Sequence, residues 1–106
     1  MDDHQGLDRV IALAGKAGKD HAEAVRVLGG FRDPKAVPPL IAAFTADEVQ
    51  VRRNAVTALQ QQLPDLFPYR RFDLERAGCR ADGTATQRAE GLRLLQAWWD
   101  ATPRPR

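Results

Sequence analysis

Apolar residues along this chain recur at the spacing of one helical face, and Gly, Pro and Asp cut the runs into short lengths. Leu7, Val10, Ile11 and Ala14 fall at i, i+3, i+4 and i+7, which predicts a helix over about 6–16. Gly18 is its expected stop, and the polar residues 1–6 are expected to fray. Ala24, Val25 and Leu28 stripe a second helix over about 20–29. Asp20 is its expected N-cap, Glu23 stands in the capping-box position, and Gly29-Gly30 ends it. Asp33-Pro34 is a start signal: Asp caps, and Pro takes the first helical position, where its missing N–H costs nothing. Val37, Leu40, Ile41 and Phe44 then define a third helix over 34–45. Pro38 and Pro39 fall within or just past its first turn, where few intrahelical donors are required.

Thr45 or Asp47 is expected to cap a fourth helix over about 47–63, with Val51, Ala55, Ala58, Leu59 and Gln62 along one side and Pro64 as its stop. Segment 64–83 contains Leu66, Phe67, Tyr69, Phe72 and Leu74 but no long helical period. It is too apolar for a solvated linker, and it reads as an ordered connector with room for one short helical piece. The last helix, over about 84–101, begins at Thr84 or Thr86 and carries Gly91, Leu92, Leu95, Trp98 and Trp99 on one face; residues 102–106 form a tail.

The chain repeats itself. Asp20 to Leu28 aligns with Val51 to Leu59 at an offset of 31, placing Ala24 on Ala55, Val25 on Val56 and Leu28 on Leu59. A third copy, Gln87 to Leu95, follows at an offset of 36, with Gly91 in the small position and Leu92 after it. A small residue lets two backbones approach, and the larger residues one and four places later fill the space beside it.

Leu28-Gly29, then Asp33-Pro34-x-Ala36-x-Pro38-x-Leu40, then Asp47-Glu48, then Val51-Arg52-x-x-Ala55-x-x-Ala58-Leu59 resembles the HEAT-like repeat of the phycobilisome-lyase (PBS lyase) type. The match runs over about Asp20–Leu63, is weak before it and partial after it. The resemblance implies an armadillo-like stack of helix pairs in which an acidic residue and an Arg five positions later form a ladder between units. Asp47 and Arg52 fit that rung, whereas the matching positions one unit earlier are Lys16 and His21, so the first repeat lacks it. The second repeat's B helix, expected over roughly 65–76, contains Pro68, and the C-terminal third is read as a modified cap. Trp98-Trp99 resembles the closing helix of short bacterial HEAT-repeat proteins. Repeats of this type occur in chromophore lyases, but most carriers are not lyases.

The length of 106 residues fits a single domain, 1–106. Hydrophobic residues at 43% and charged residues at 28% are globular proportions. The net charge of +2 gives no reason to expect nucleic acid. The one cysteine, Cys79, excludes an internal disulfide. With no secretory pattern at the polar N-terminus, the expected setting is a reducing cytoplasm. No apolar run approaches the ~20 residues of a membrane span.

Candidate chemistry is sparse. His4 and His21 have no second ligand at metal spacing. Cys79 has Arg76 and Arg80 nearby, cations that lower a thiol pKa, but no His lies close in sequence. Asp47 and Glu48 are explained by the turn and ladder without acid/base work. Gly15-Lys16-Ala17-Gly18-Lys19 lacks the phosphate-loop spacing and the preceding strand. Arg70, Arg71, Arg76 and Arg80, with Tyr69 and Phe72 beside them, would suit phosphate contact and stacking, yet Asp65, Asp73, Glu75 and Asp82 are interleaved. Trp98 and Trp99 diverge by ~100° on a helix, so one is expected to pack inward while the other is partly exposed.

The chain therefore reads as all-α: a short right-handed α-solenoid (α-α superhelix) of about two HEAT-like repeats, an irregular segment and a C-terminal capping helix. No catalytic, cofactor-binding or metal-binding residue is assigned. The expected role is a non-catalytic protein-binding scaffold using the side formed by successive second helices and their loops: Arg32, Lys35, Glu48, Arg52 and Arg53. The partner is another protein, or a second copy meeting an uncapped solenoid end or Trp98/Trp99. The alternatives are nucleic-acid association through Arg70, Arg71, Arg76 and Arg80, and a lyase- or chaperone-like accessory role with Cys79 as its candidate nucleophile.

Overall fold

In the computed structural model, residues 9–12, 21–31 and 33–102 are described. Among them every regular element is helical: α1 (His21–Leu28), a 3-10 turn (Pro34–Ala36) leading into α2 (Val37–Ala43), α3 (Val49–Leu66), α4 (Leu74–Ala77) and α5 (Ala85–Ala101). Residues 9–12 are also helical, with Val10 and Ile11 packed on the core. The Gly18 stop, the Asp20 cap and the end of the tail lie outside the described residues. The arrangement is a short helical solenoid.

The Asp33-Pro34 signal works through a tighter turn than an α-helix. Asp33 accepts from the Lys35 N–H at 2.9 Å, and the Val37 N–H reaches back only three residues, to the Pro34 carbonyl. Pro38 and Pro39 have no N–H to offer the Pro34 and Lys35 carbonyls, so the 3-10 turn uses the donors that exist. Neither Thr45 nor Asp47 caps α3. Thr45 instead donates its hydroxyl to the Ala42 carbonyl at 2.6 Å, closing α2, and Glu48 is the N-cap without a side-chain bond. Pro64 does not stop α3 either, since the helix runs on to Leu66. Pro64 is exposed and in the last turn, so its missing N–H leaves only the carbonyl of the exposed Gln60 without that bond. The ladder resumes with the Phe67 N–H on the Leu63 carbonyl at 2.9 Å.

The helix expected over 65–76 is reduced to the single turn α4. Asp73 caps it by accepting from the Arg76 N–H at 3.1 Å. Gly78, at φ 93°, ends it in the left-handed region. The Gly78 N–H reaches the Glu75 carbonyl at 3.1 Å and the Cys79 N–H the Leu74 carbonyl at 2.8 Å, a complete Schellman motif. Thr84 opens α5 with a capping box: its hydroxyl accepts from the Gln87 N–H at 3.1 Å, and the Gln87 side chain accepts from the Thr84 N–H at 3.0 Å.

The repeat is visible in burial. Leu28, Leu59 and Leu95 are fully buried, and Ala24, Ala55 and Gly91 are buried beside them. The most extensive contact between two helices is that of α1 with α3. A stripe of α3 at i, i+4, i+8 faces α1: Asn54 donates to the Ala22 carbonyl at 2.8 Å, Ala58 sits against Gly29, and Gln62 donates to the Gly29 carbonyl at 2.9 Å. A Cβ on Gly29 would lie 2.7 Å from the Ala58 Cβ. Gly29 is therefore required for close approach, and Gln62 satisfies a carbonyl that the end of α1 leaves open.

The third copy does not stack in the same way. α5 closes on α4 and on α2 instead of running along α3 as α3 runs along α1. Its anchor is aromatic. Phe67 lies edge-on to both Trp98 and Trp99, with centroids 5.9 and 5.6 Å away. Trp99 is buried and Trp98 half-buried.

Candidate interaction site

Arg52 sits at the centre of the surface predicted to meet a partner, but it is buried and does not face solvent. Its guanidinium donates to three main-chain carbonyls: Nη1 to Ala46 at 2.7 Å and to Asp47 at 2.6 Å, and Nε to Ala81 at 2.9 Å. The rung is thus present with a different acceptor. The Asp47 carbonyl accepts, and its carboxylate stays exposed. One unit later Arg88 repeats the move, its Nε donating to the carbonyl of Gly83, five residues back, at 3.2 Å. Gly83 has no side chain to offer, so the acid of the pattern is not what the bond needs.

Arg52 therefore fixes the turn before α3 and the loop after α4 in one position. Glu48 and Arg53, its neighbours along the chain, are exposed; Lys35 is exposed in the 3-10 turn at the other end of α2, and Arg32 lies outside the described residues. Two adjoining grooves run along α3. One, of about 240 Å³, lies between Arg53, Val56 and Gln60 on the helix and Glu75, Arg80 and Asp82 opposite. The other, of about 390 Å³, continues past Leu63 and Pro64 to Arg71, Phe72 and Asp73, and shares Gln60 and Glu75 with the first.

The grooves exist because α5 does not lie along α3. Val25, on α1, has no exposed surface, whereas its counterpart Val56, on α3, is half-buried and lines the first groove. Val56 was visible in the repeat as an apolar position, but nothing in the pattern marked it as uncovered. Gln60, Phe72 and Glu75 carried no signal as a group. A wider groove of about 730 Å³ lies between α2 and α5, lined by Pro38, Ile41, Leu92 and Trp99 with Arg93 and Asp100.

The four arginines of the predicted phosphate-binding patch do not act together. Arg70 is drawn inward: its Nε donates to the Thr102 hydroxyl at 2.8 Å and its guanidinium lies 5.8 Å from the Trp98 ring centroid. Arg71, Arg76 and Arg80 are exposed. Arg71 and Arg80 line different grooves, and Arg80 is 3.7 Å from Asp82.

Cys79 is not a poised nucleophile. It is buried, and its thiol donates to the Gly91 carbonyl at 3.2 Å. Burial pushes its pKa up from 9.0 to about 11, so the thiol stays protonated at neutral pH despite Arg76 and Arg80 nearby. A raised folded-state pKa means that stability is complete below pH 9.0 and is lost as pH rises through about 11. The unfolded thiol ionises first. The loss expected over that window is on the order of 2 kcal/mol. Denaturant titrations across it check this, and Cys79→Ala is expected to flatten the slope. A chromogenic disulfide reagent is expected to react with the native thiol far more slowly than with the unfolded chain.

His21, the first residue of α1, is half-buried, and among the described residues no group of His, Cys, Asp and Glu is placed to hold a metal ion. No helix among them is long and apolar enough to cross a membrane. Comparison with known proteins finds one family, described as HEAT repeats, matching residues 8–65. No curated protein and no solved structure matches the chain. With α1, α2 and all but the last residue of α3 inside the matched region, and Leu28 and Leu59 buried in register within it, the chain belongs to the HEAT repeats family.

Proposed function

We propose that this chain is a non-catalytic scaffold that holds another protein against the side bearing α3, with the reducing cytoplasm as its expected setting. Proteins built of HEAT repeats generally serve as interaction scaffolds, which supports the class of function. The observation that carries the reading is the use made of Arg52. Its guanidinium is committed to the Ala46, Asp47 and Ala81 carbonyls, so Glu48 and Arg53 stand exposed on a frame held from beneath. Preorganised surfaces bind with less ordering cost. The lyase-like alternative that goes with the phycobilisome-lyase type has little support here, because its candidate nucleophile is buried and protonated.

The test is photo-crosslinking in extract of the source cells, with a benzophenone side chain introduced at Arg53 or, as a control on the far groove, at Arg93. The expected result is a discrete heterologous adduct from position 53 that is absent from position 93. Adducts from neither position, or turnover of a substrate by the purified chain, would overturn the reading. A dimer-sized adduct of the chain with itself would make a second copy the partner.

A further inference from the structure

We infer that copies of this chain associate head to tail, the free flank of α1 in one copy seating in the groove between α2 and α5 of the next. The internal repeat names the occupant. Within the chain, Asn54, Ala58 and Gln62 are the stripe by which α3 meets α1, and the positions they meet are Ala22 and Gly29. Moved back by the repeat offset of 31, that stripe falls on Glu23, Val27 and Phe31, along α1 and the turn after it. There it stands open. Ala58 and Gln62 are buried, whereas Val27 is 39% exposed, Glu23 is exposed and Phe31 is half-buried. A solenoid that ends alone is closed by a polar face, and Val27 at the centre of this stripe is apolar.

The receiving face recurs at the other end of the chain. In the third copy of the repeat, the positions of Ala22 and Gly29 are taken by Ala89 and Gln96 on α5. Both line the groove of about 730 Å³ against α2, with Leu92 between them. On α3 the same two positions are Arg53 and Gln60, but there α4 and its loop stand opposite, and the groove of about 240 Å³ has no room for a helix. Charge does not choose the partner, since Glu23 pairs with Arg26 and Glu90 with Arg93, each within its own helix; the register does. Val27 and Gln96 are larger than Ala58 and Gly29, so the helices of two copies are set further apart than α1 and α3, and the contact between copies is the weaker one. A docking flank that differs from its receiving face makes a heterologous contact, which propagates as an open row or closes as a ring. The exposed Glu48 and Arg53 take no part, so this contact is separate from the scaffold reading.

The test is disulfide trapping in the full chain, with Val27→Cys and Gln96→Cys made singly and together. Cys79 is buried and stays out of the exchange. On mild oxidation the double variant is expected to give linked multimers, and a mixture of the two single variants a one-to-one dimer. Each single variant alone is expected to stay monomeric. Sedimentation of the unaltered chain over a concentration series is expected to show its mass rising above that of the monomer. Val27→Arg and, separately, Ala97→Arg in the groove are each expected to weaken that association on the order of tenfold or more. Mixing those two variants should restore one dimer and nothing larger, because each keeps the face that the other has lost. Both sites are exposed, and unchanged melting curves confirm that the variants fold. A monomer at every concentration without linked multimers would overturn the inference. So would a Val27→Cys variant that links to itself as fast as to Gln96→Cys, which makes the contact symmetric, or arginine variants that fail to complement each other. In the photo-crosslinking experiment, a self-adduct from position 93 reports this contact and leaves the α3 side free.

Discussion

Arg52→Ala is expected to lower the stability of this chain by about 3–4 kcal/mol, a large share of the roughly 5–15 kcal/mol that holds such a domain folded. The side chain is buried and donates to three carbonyls at 2.6–2.9 Å, and its removal unties the turn at 46–47 from the loop at Ala81. A hydrogen bond with a charged partner contributes about 1.5–3 kcal/mol, and three made by one group are not additive. For about 100 residues the melting temperature should fall by roughly 15 °C or more. Arg52→Lys should recover only a minor part, because an ammonium cannot fork between the turn at 46–47 and the loop at Ala81. The neighbouring Arg53→Ala, at an exposed site, should stay within about 0.5 kcal/mol. Thermal and denaturant melts of the three variants decide it. An Arg52→Ala melt no lower than that of Arg53→Ala would show that the guanidinium bonds carry no net stability. A charge change at Arg52 therefore tests folding before it tests partner binding.

Gly91→Ala is expected to destabilise the chain by about 2 kcal/mol, although Ala is the better helix former by about 1 kcal/mol. The two effects oppose each other, and the geometry decides between them. A Cβ on Gly91 would lie 2.8 Å from the Gly78 carbonyl carbon and 2.9 Å from the Cys79 nitrogen. These are main-chain atoms, and the loop that bears them has little room to retreat. The Schellman bonds hold it to α4, the Cys79 thiol holds it to Gly91, and Arg52 holds Ala81 just beyond. Relief requires α5 to move off the loop. Faster reaction of Cys79 with a thiol reagent would report that movement directly. Ala89→Gly, at an exposed site on the same helix, measures the propensity effect alone. A Gly91→Ala variant that melts higher than the parent would show that the loop yields and the contact is soft.

The division between chain and fold runs through particular residues. Leu28, Leu59 and Leu95, the small residues four positions before each, the Asp33-Pro34 start and the Thr84 cap were legible in the amino-acid order. Helical periodicity and capping depend on neighbours within a turn or two, so the local text contains them. Arg52 was legible as a rung, but its acceptors were not. A main-chain carbonyl belongs to every residue, and Ala81 is 29 positions away, so no side-chain pattern could name it. Arg70 reads like its neighbour Arg71 until Trp98 and Thr102, far along the chain, draw one inward and leave the other in solvent. The groove along α3 belongs wholly to tertiary structure. Val56 has the same apolar character as Val25, and only the placement of α5 on α4 and α2 leaves it without a covering helix. A cleft is a failure of two distant segments to meet, and such a failure leaves no mark on either segment alone.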